Sequence, residues 1–252
     1  MTPDSSQSIQ DPCGSRTLLV TGGSGGIGRA ICLAFARAGW WVGVHYFEHL
    51  REAERTLALV SKAGGQGALY QADIRSIHEI QAVMAAVLKH RDGIDVVLCN
   101  AGTASGQLVV TCPESEWQRI IDTNLTGTYH CMKAAAAAML PHGGGSILVI
   151  GSYAALQGAT GQGAYAASKA GLIGLVKTAA REWGSHNIRV NMVSPGWQQT
   201  ALSGEAFPPE ERFQDHVLGR APNRDEVAET IYRLAQLSDA SGQIWNLDSR
   251  IL

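Results

Sequence analysis

A chain of 252 residues with ordinary apolar content is sized for one α/β domain with a substantial core. Its net charge of -2 offers no basic surface for nucleic acid or an anionic membrane. No apolar stretch approaches the ~20 residues of a membrane span, so a small-molecule partner is the expectation.

Residues 1–15 are polar, with neither a basic start nor an apolar h-region, and read as a flexible tail ahead of a catalytic domain over 16–252. Residues 18–21 form a short apolar run suited to a buried parallel strand. It meets the cluster Gly22-Gly23-Ser24-Gly25-Gly26-Ile27-Gly28, after which Ile31, Phe35 and Ala38 mark one stripe of a helix over 26–38. Strand, glycine turn and helix N-terminus together make an anion site. Free N–H groups and the helix dipole point at a pyrophosphate that the glycines allow to approach. The spacing Gly22, Gly26, Gly28 is not the common G-x-G-x-x-G.

Further strands are expected at 41–45, 68–71, 96–99, 146–150, 189–193 and 243–247. Helices are expected at 50–63, 77–90, 114–129 running on to 139, 163–183 and 224–237. This alternation predicts a Rossmann-type, doubly wound parallel sheet of about seven strands covered on both faces. Ligands of such sheets sit beyond the carboxyl ends of the strands. Gly22, Asp73, Asn100, Ser152 and Pro195 each follow a predicted strand. The five cysteines (Cys13, Cys32, Cys99, Cys112, Cys131) are scattered and odd in number, and the eight histidines show no ligand spacing. No metal is expected, and the thiols read as free in a reducing compartment, the cytoplasm.

The most informative run is Tyr165-Ala166-Ala167-Ser168-Lys169, with Ser152 thirteen residues before the tyrosine. On a helix, Tyr165 and Lys169 emerge on one face. A phenol of ordinary pKa, ~10, is a poor proton donor to a ketone, and a neighbouring ammonium favours its phenolate. Tyr165 is therefore the candidate acid, Ser152 a second donor to the same oxygen, and Lys169 the tuning cation.

Together these motifs resemble the short-chain dehydrogenase/reductase family, from Arg16 to Leu247. Thr21-Gly22-x-x-x-Gly26-x-Gly28 is similar to that family's cofactor turn and Asn100-Ala101-Gly102 to its segment after the fourth strand. Asn124, Ser152, Tyr165 and Lys169 match its catalytic tetrad, and Ser194-Pro195-Gly196-Trp197-Gln198-Gln199-Thr200 resembles the loop that cups the nicotinamide. The resemblance implies a cofactor site of Gly22, Ser24, Gly26, Ile27, Gly28, Tyr46, Asp73, Ile74, Asn100, Ala101, Gly102, Tyr165, Lys169, Pro195, Gly196 and Thr200. It also implies a relay water held by Asn124, and a substrate lid near 201–219. Asp73 reads equally well as a helix N-cap.

Tyr46 stands where an acid would select NAD, which favours NADP, with His45, His49 or Arg51 as partners for its phosphate; NAD stays open. The branch most resembled is 3-oxoacyl-[acyl-carrier-protein] reductase, of fatty-acid synthesis, which implies a carrier-bound or CoA ketone substrate and a homotetramer. Two departures stand out: few basic residues end the helix near Lys133, and Asn246-Leu247-Asp248-Ser249-Arg250-Ile251-Leu252 replaces the usual Gly-Gly ending. The competing readings are an NAD-dependent dehydrogenase of a sugar, steroid or small alcohol, and a non-catalytic nucleotide sensor or scaffold.

Overall fold

Seven apolar runs assemble into one parallel sheet in the computed structural model, which describes residues 16–200, 213 and 215–251. The strands are β1 (Thr17–Thr21), β2 (Trp41–Tyr46), β3 (Gln66–Gln71), β4 (Val96–Cys99), β5 (Gly145–Ile150), β6 (Ile188–Ser194) and β7 (Ile244–Asn246). Their order is β3-β2-β1-β4-β5-β6-β7, every pair parallel. The chain steps outward from β1 to β3 and then returns to place β4 on the other side of β1. That reversal opens a crevice beyond the carboxyl ends of β1 and β4.

Side chains alternate across the sheet, so each central strand supplies two cores. Leu18, Val20, Leu98 and Leu148 face α1 (Gly26–Arg37) and α8 (Arg224–Ala235), with α2 (Leu50–Lys62) covering β2 on the same side. Leu19, Val97, Ile147 and Val149 face α3 (Ile77–Leu88), α5 (Thr128–Met139) and α7 (Gly163–Trp183). Each such side chain is worth roughly 1.5–3 kcal/mol on burial, and both faces being apolar is why these strands read as continuous hydrophobic runs.

The observed elements match the expected order, with ends moved by a residue or two. One difference bears on the site. The long helix expected from Glu114 to Met139 begins as α4 (Glu114–Ile121) and passes through a π-helical turn, Asp122–Gly127, before α5. Gly127, at the end of that turn, lies against Ile74, where a Cβ would come within 2.8 Å. A short helix, α6 (Ala154–Gln157), follows β5. The expected tail over 1–15 and residues 201–212 and 214 of the expected lid lie outside the described residues.

Candidate active site

The glycine turn is held from three sides. Gly22, at φ +65°, donates its N–H to His45 Nδ1 (3.2 Å), and His45 Nε2 in turn donates to the Ala72 carbonyl (3.0 Å). The acceptor role of Nδ1 assigns the ring proton to Nε2. Burial lowers the His45 pKa to about 4. His45 is thus a neutral brace joining β1, β2 and the end of β3, and the expectation that it would pair with a cofactor phosphate is corrected. From β4, Asn100 Nδ2 donates to the Thr21 (3.1 Å) and Gly22 (3.0 Å) carbonyls, while Thr21 Oγ1 accepts from Asn100 N and Ala101 N.

A Cβ on Gly28 would lie 2.3 Å from the Gly22 carbonyl oxygen, and one on Gly22 would lie 2.9 Å from Ala101 Cα. Gly26, at φ +35°, faces Thr200, where a Cβ would lie 2.5 Å from Cγ2. This cradle admits backbone and a phosphate but no side chain, at the N-terminus of a twelve-residue helix without an acid in its first turn. It suits a dinucleotide pyrophosphate.

Beyond the cradle lies a cleft of about 580 Å³, within the range of small-molecule sites. Ile27, Asn100 and Gly102 line it on the β1–β4 side, and Ser152, Tyr165 and Lys169 on the other. Pro195, Gly196 and Thr200 also border it. The Ser152 hydroxyl bonds the Tyr165 hydroxyl, which lowers the phenol pKa, but burial outweighs this and holds Tyr165 above its ordinary value. Lys169 Nζ lies 5.9 Å from the Tyr165 ring centroid and donates to the Ile150 carbonyl (2.8 Å). Burial lowers the Lys169 pKa to about 8. The lysine still carries its proton for the most part at neutral pH, as an ammonium held less tightly than one in water.

Asn124 sits fully buried behind the cleft, on the π-helical turn. Its Oδ1 accepts from Thr103 N (2.8 Å), and Nδ2 donates to the Thr103 carbonyl (2.8 Å) and Ser168 Oγ (3.2 Å). Both amide protons are therefore spent on protein partners. Its Oδ1 would be 3.1 Å, and Lys169 Nζ 3.8 Å, from a Cβ on Gly102, which places all three together. The side chain braces the loop after β4 against α7. A relay water would have to rest mainly on other groups of the turn, where the π-helical register displaces the regular carbonyl bonding.

Ser24, Tyr46, Asp73 and Ile74 stand outside this cleft, toward the β2–β3 end. Tyr46 is buried at the tip of β2, and its carbonyl accepts from Ala72 N. Asp73 binds Arg75 (Nε to Oδ2, 2.8 Å), which holds its carboxyl below the ordinary range. The N-cap of α3 is Ser76, whose hydroxyl accepts from Glu79 N (3.3 Å), so the capping role considered for Asp73 falls to a different residue. Ile74 is buried, leaving its backbone as the group that could meet a cofactor.

The substrate side contains residues that motif reading did not reach. Tyr153, Asp215 and Arg250 line the cleft. The buried Gln198 amide ties the loop after β6 together, donating to the Pro195 and Pro222 carbonyls (both 3.2 Å). The one sequence signal was the departure over 246–252, which pointed to a change of substrate or assembly without assigning a role to any one residue. Among the described residues no group of three His, Cys, Asp or Glu side chains gathers as a metal site. None of the described helices is long and apolar enough to cross a membrane.

A family model described as short chain dehydrogenase matches residues 16–211. The chain is 37% identical over 237 residues to a 3-oxoacyl-[acyl-carrier-protein] reductase of Synechocystis, covering 93% of this chain and 96% of that one. It is 36% identical over 225 residues to 3-oxoacyl-[acyl-carrier-protein] reductase FabG of Staphylococcus aureus, covering 88% and 91%. Among solved structures, a short-chain type dehydrogenase/reductase from Mycobacterium marinum superimposes with a TM-score of 0.87 at 31% identity, covering 93% and 94%.

Proposed function

The chain belongs to the short-chain dehydrogenase/reductase family and is an NAD(P)-dependent oxidoreductase; on that premise we propose that it reduces the ketone of a 3-oxoacyl thioester, with NADPH as the preferred donor. The observation that carries this reading is the Ser152–Tyr165 hydroxyl pair with Lys169 beside it, facing a cleft whose other end is the glycine cradle.

When bound, the nicotinamide supplies the hydride that reduces the carbonyl carbon. The protein's share is to hold and protonate the oxygen. Ser152 donates a hydrogen bond to that oxygen, and Tyr165 donates a second and then its proton. Burial holds the phenol pKa above its ordinary value, so the proton is firmly held in the resting site. The Lys169 ammonium stabilises the phenolate as it forms. Asn124 keeps the loop after β4 and α7 in register around these groups.

Supporting the thioester are the names of the two reductases aligned over nearly the whole chain. Supporting NADP is the absence of a carboxylate at Tyr46. With His45 committed to the turn, Arg51 and His49 at the start of α2 are what remains of the three expected partners for a 2′-phosphate. We also assign a homotetramer in the cytoplasm. Its support is the exposed Trp117 and Tyr129 on the helices flanking the π-helical turn, and the open face of α7 at Gly174.

The deciding experiment is consumption of NADPH by the purified protein with acetoacetyl-CoA, run beside NADH. Rapid oxidation of NADPH with 3-hydroxybutyryl-CoA as product is expected. Turnover of alcohols with NAD but none of the thioester would overturn the reading.

A further inference from the structure

Asp248 is a carboxylate with no solvent exposure in a region where motif reading assigned no chemistry. It follows β7 and stands against Gly196 of the loop after β6, where a Cβ would lie 2.6 Å from its own. Its Oδ1 accepts from Asn246 Nδ2 (3.1 Å) and Arg250 N (3.0 Å), and its Oδ2 accepts from Arg250 Nε (2.8 Å) and, closer still, Arg250 Nη2. The buried His216 ring places Nε2 3.8 Å from Oδ2. A side chain as mobile as arginine is thereby clamped along one edge of its guanidinium.

The other restraint acts on the guanidinium face. Its Cζ lies 3.9 Å from the ring centroid of Tyr153, the residue after Ser152, and the Tyr153 hydroxyl donates to the Ile251 carbonyl (3.2 Å). Edge and face are both fixed, and Arg250 borders the same cleft as Ser152 and Tyr165. Its Nη1 makes no hydrogen bond among the described residues, and 9% of the side chain stays exposed. A guanidinium so restrained presents a preorganised donor edge to whatever occupies the cleft.

We propose that Arg250, clamped by Asp248 and stacked on Tyr153, is a specificity-determining residue that receives a second oxygen of the substrate, the thioester carbonyl, while Ser152 and Tyr165 hold the ketone. The assignment rests on the 3-oxoacyl reading above. Asp248 cancels the charge of Arg250, and Asp215 adds a carboxylate to the same wall. The site is therefore a strong hydrogen-bond donor without surplus positive charge, which suits a neutral carbonyl oxygen better than a free carboxylate. A ketone lacking that oxygen occupies the cleft without pairing the donor edge, the situation that gives polar sites their discrimination.

The test compares kcat/KM for acetoacetyl-CoA, free acetoacetate and cyclohexanone in the wild type and in Arg250→Lys, which keeps a cation for Asp248 but loses the fork. The double variant Asp248→Leu/Arg250→Met removes both charges together, in case the lysine variant is poorly folded. The preference for acetoacetyl-CoA over cyclohexanone should fall by about tenfold or more in either variant, mainly through KM. A preference within twofold of wild type, or equal losses on both ketones, overturns the assignment and leaves the pair a structural brace. So does a loss confined to acetoacetate. A wild type that reduces cyclohexanone but no thioester refutes the 3-oxoacyl reading and takes this assignment with it. With a wild type active on the thioester, an unchanged preference in the variants counts against Arg250 alone.

Discussion

Burial holds the His45 imidazole neutral, and its proton on Nε2 serves the Ala72 carbonyl while Nδ1 receives the Gly22 amide. Unfolding returns the ring to water, where its pKa is the ordinary 6.5 in place of about 4. Between those values the unfolded chain takes up a proton that the native chain refuses. This part of the stability is complete above pH 6.5 and is lost as pH falls toward 4, to the extent of about 3 kcal/mol. His45→Gln can still accept from Gly22 and donate to Ala72 but cannot titrate. Urea unfolding of the two proteins across that window should show the wild type losing stability with acid more steeply; parallel curves would refute a buried neutral imidazole. Tyr165→Phe removes the proton donor yet keeps the ring packed over Lys169. It should lower kcat by roughly a hundredfold or more and leave NADPH binding, read by fluorescence quenching, close to wild type. Turnover within a few-fold of wild type would remove Tyr165 from the role of acid.

Elements carry the site by bringing distant turns into contact, and the π-helical turn is the clearest case. Asn124 on that turn satisfies both the N–H and the C=O of Thr103, groups of the loop after β4. Asn124→Ala would leave them without their partners in a partly buried setting, at about 1–2 kcal/mol. Thermal melting should show the loss even without cofactor, and an unchanged melting temperature would argue against a bracing role. The alternation of strand and helix was legible because the strands are apolar on both sides and the helices carry apolar stripes. The position of the turn was not, since a π-helical register leaves the side-chain pattern of the segment helical throughout. Gly127 marks it only through its approach to Ile74, a tertiary contact. Likewise the glycine turn could be read from its composition, whereas His45 could not be placed. A strand covered on both faces has no polar side to tell which way a histidine points. Ser152, Tyr165 and Lys169 were legible through their spacing around a strand end and a helix face. Arg250 meets Tyr153 across 97 positions of chain, a contact no local pattern encodes.

Across the whole molecule, the cleft is closed by parts of the chain that share no secondary structure. Asp248 joins the segment after β7 to Gly196 after β6, and through Arg250 to Tyr153 after β5. Three strand ends on one side of the crevice are thus tied through a single buried carboxylate. A buried ion pair is costly to form and costlier to halve, because the survivor is left charged and unsolvated. Arg250→Met should therefore destabilise the protein by about 3–5 kcal/mol, whereas Asp248→Leu/Arg250→Met, which removes both charges, should recover most of that loss. For a domain of this size, each kcal/mol moves the melting temperature by about 2–4 °C, so the single and double variants are separable by calorimetry. If the double variant melts as low as the single one, packing of the segment after β7 and not its unpaired charge is what holds the wall. If both melt with the wild type, the three strand ends stay together without the pair, and the cleft owes its shape to the sheet alone.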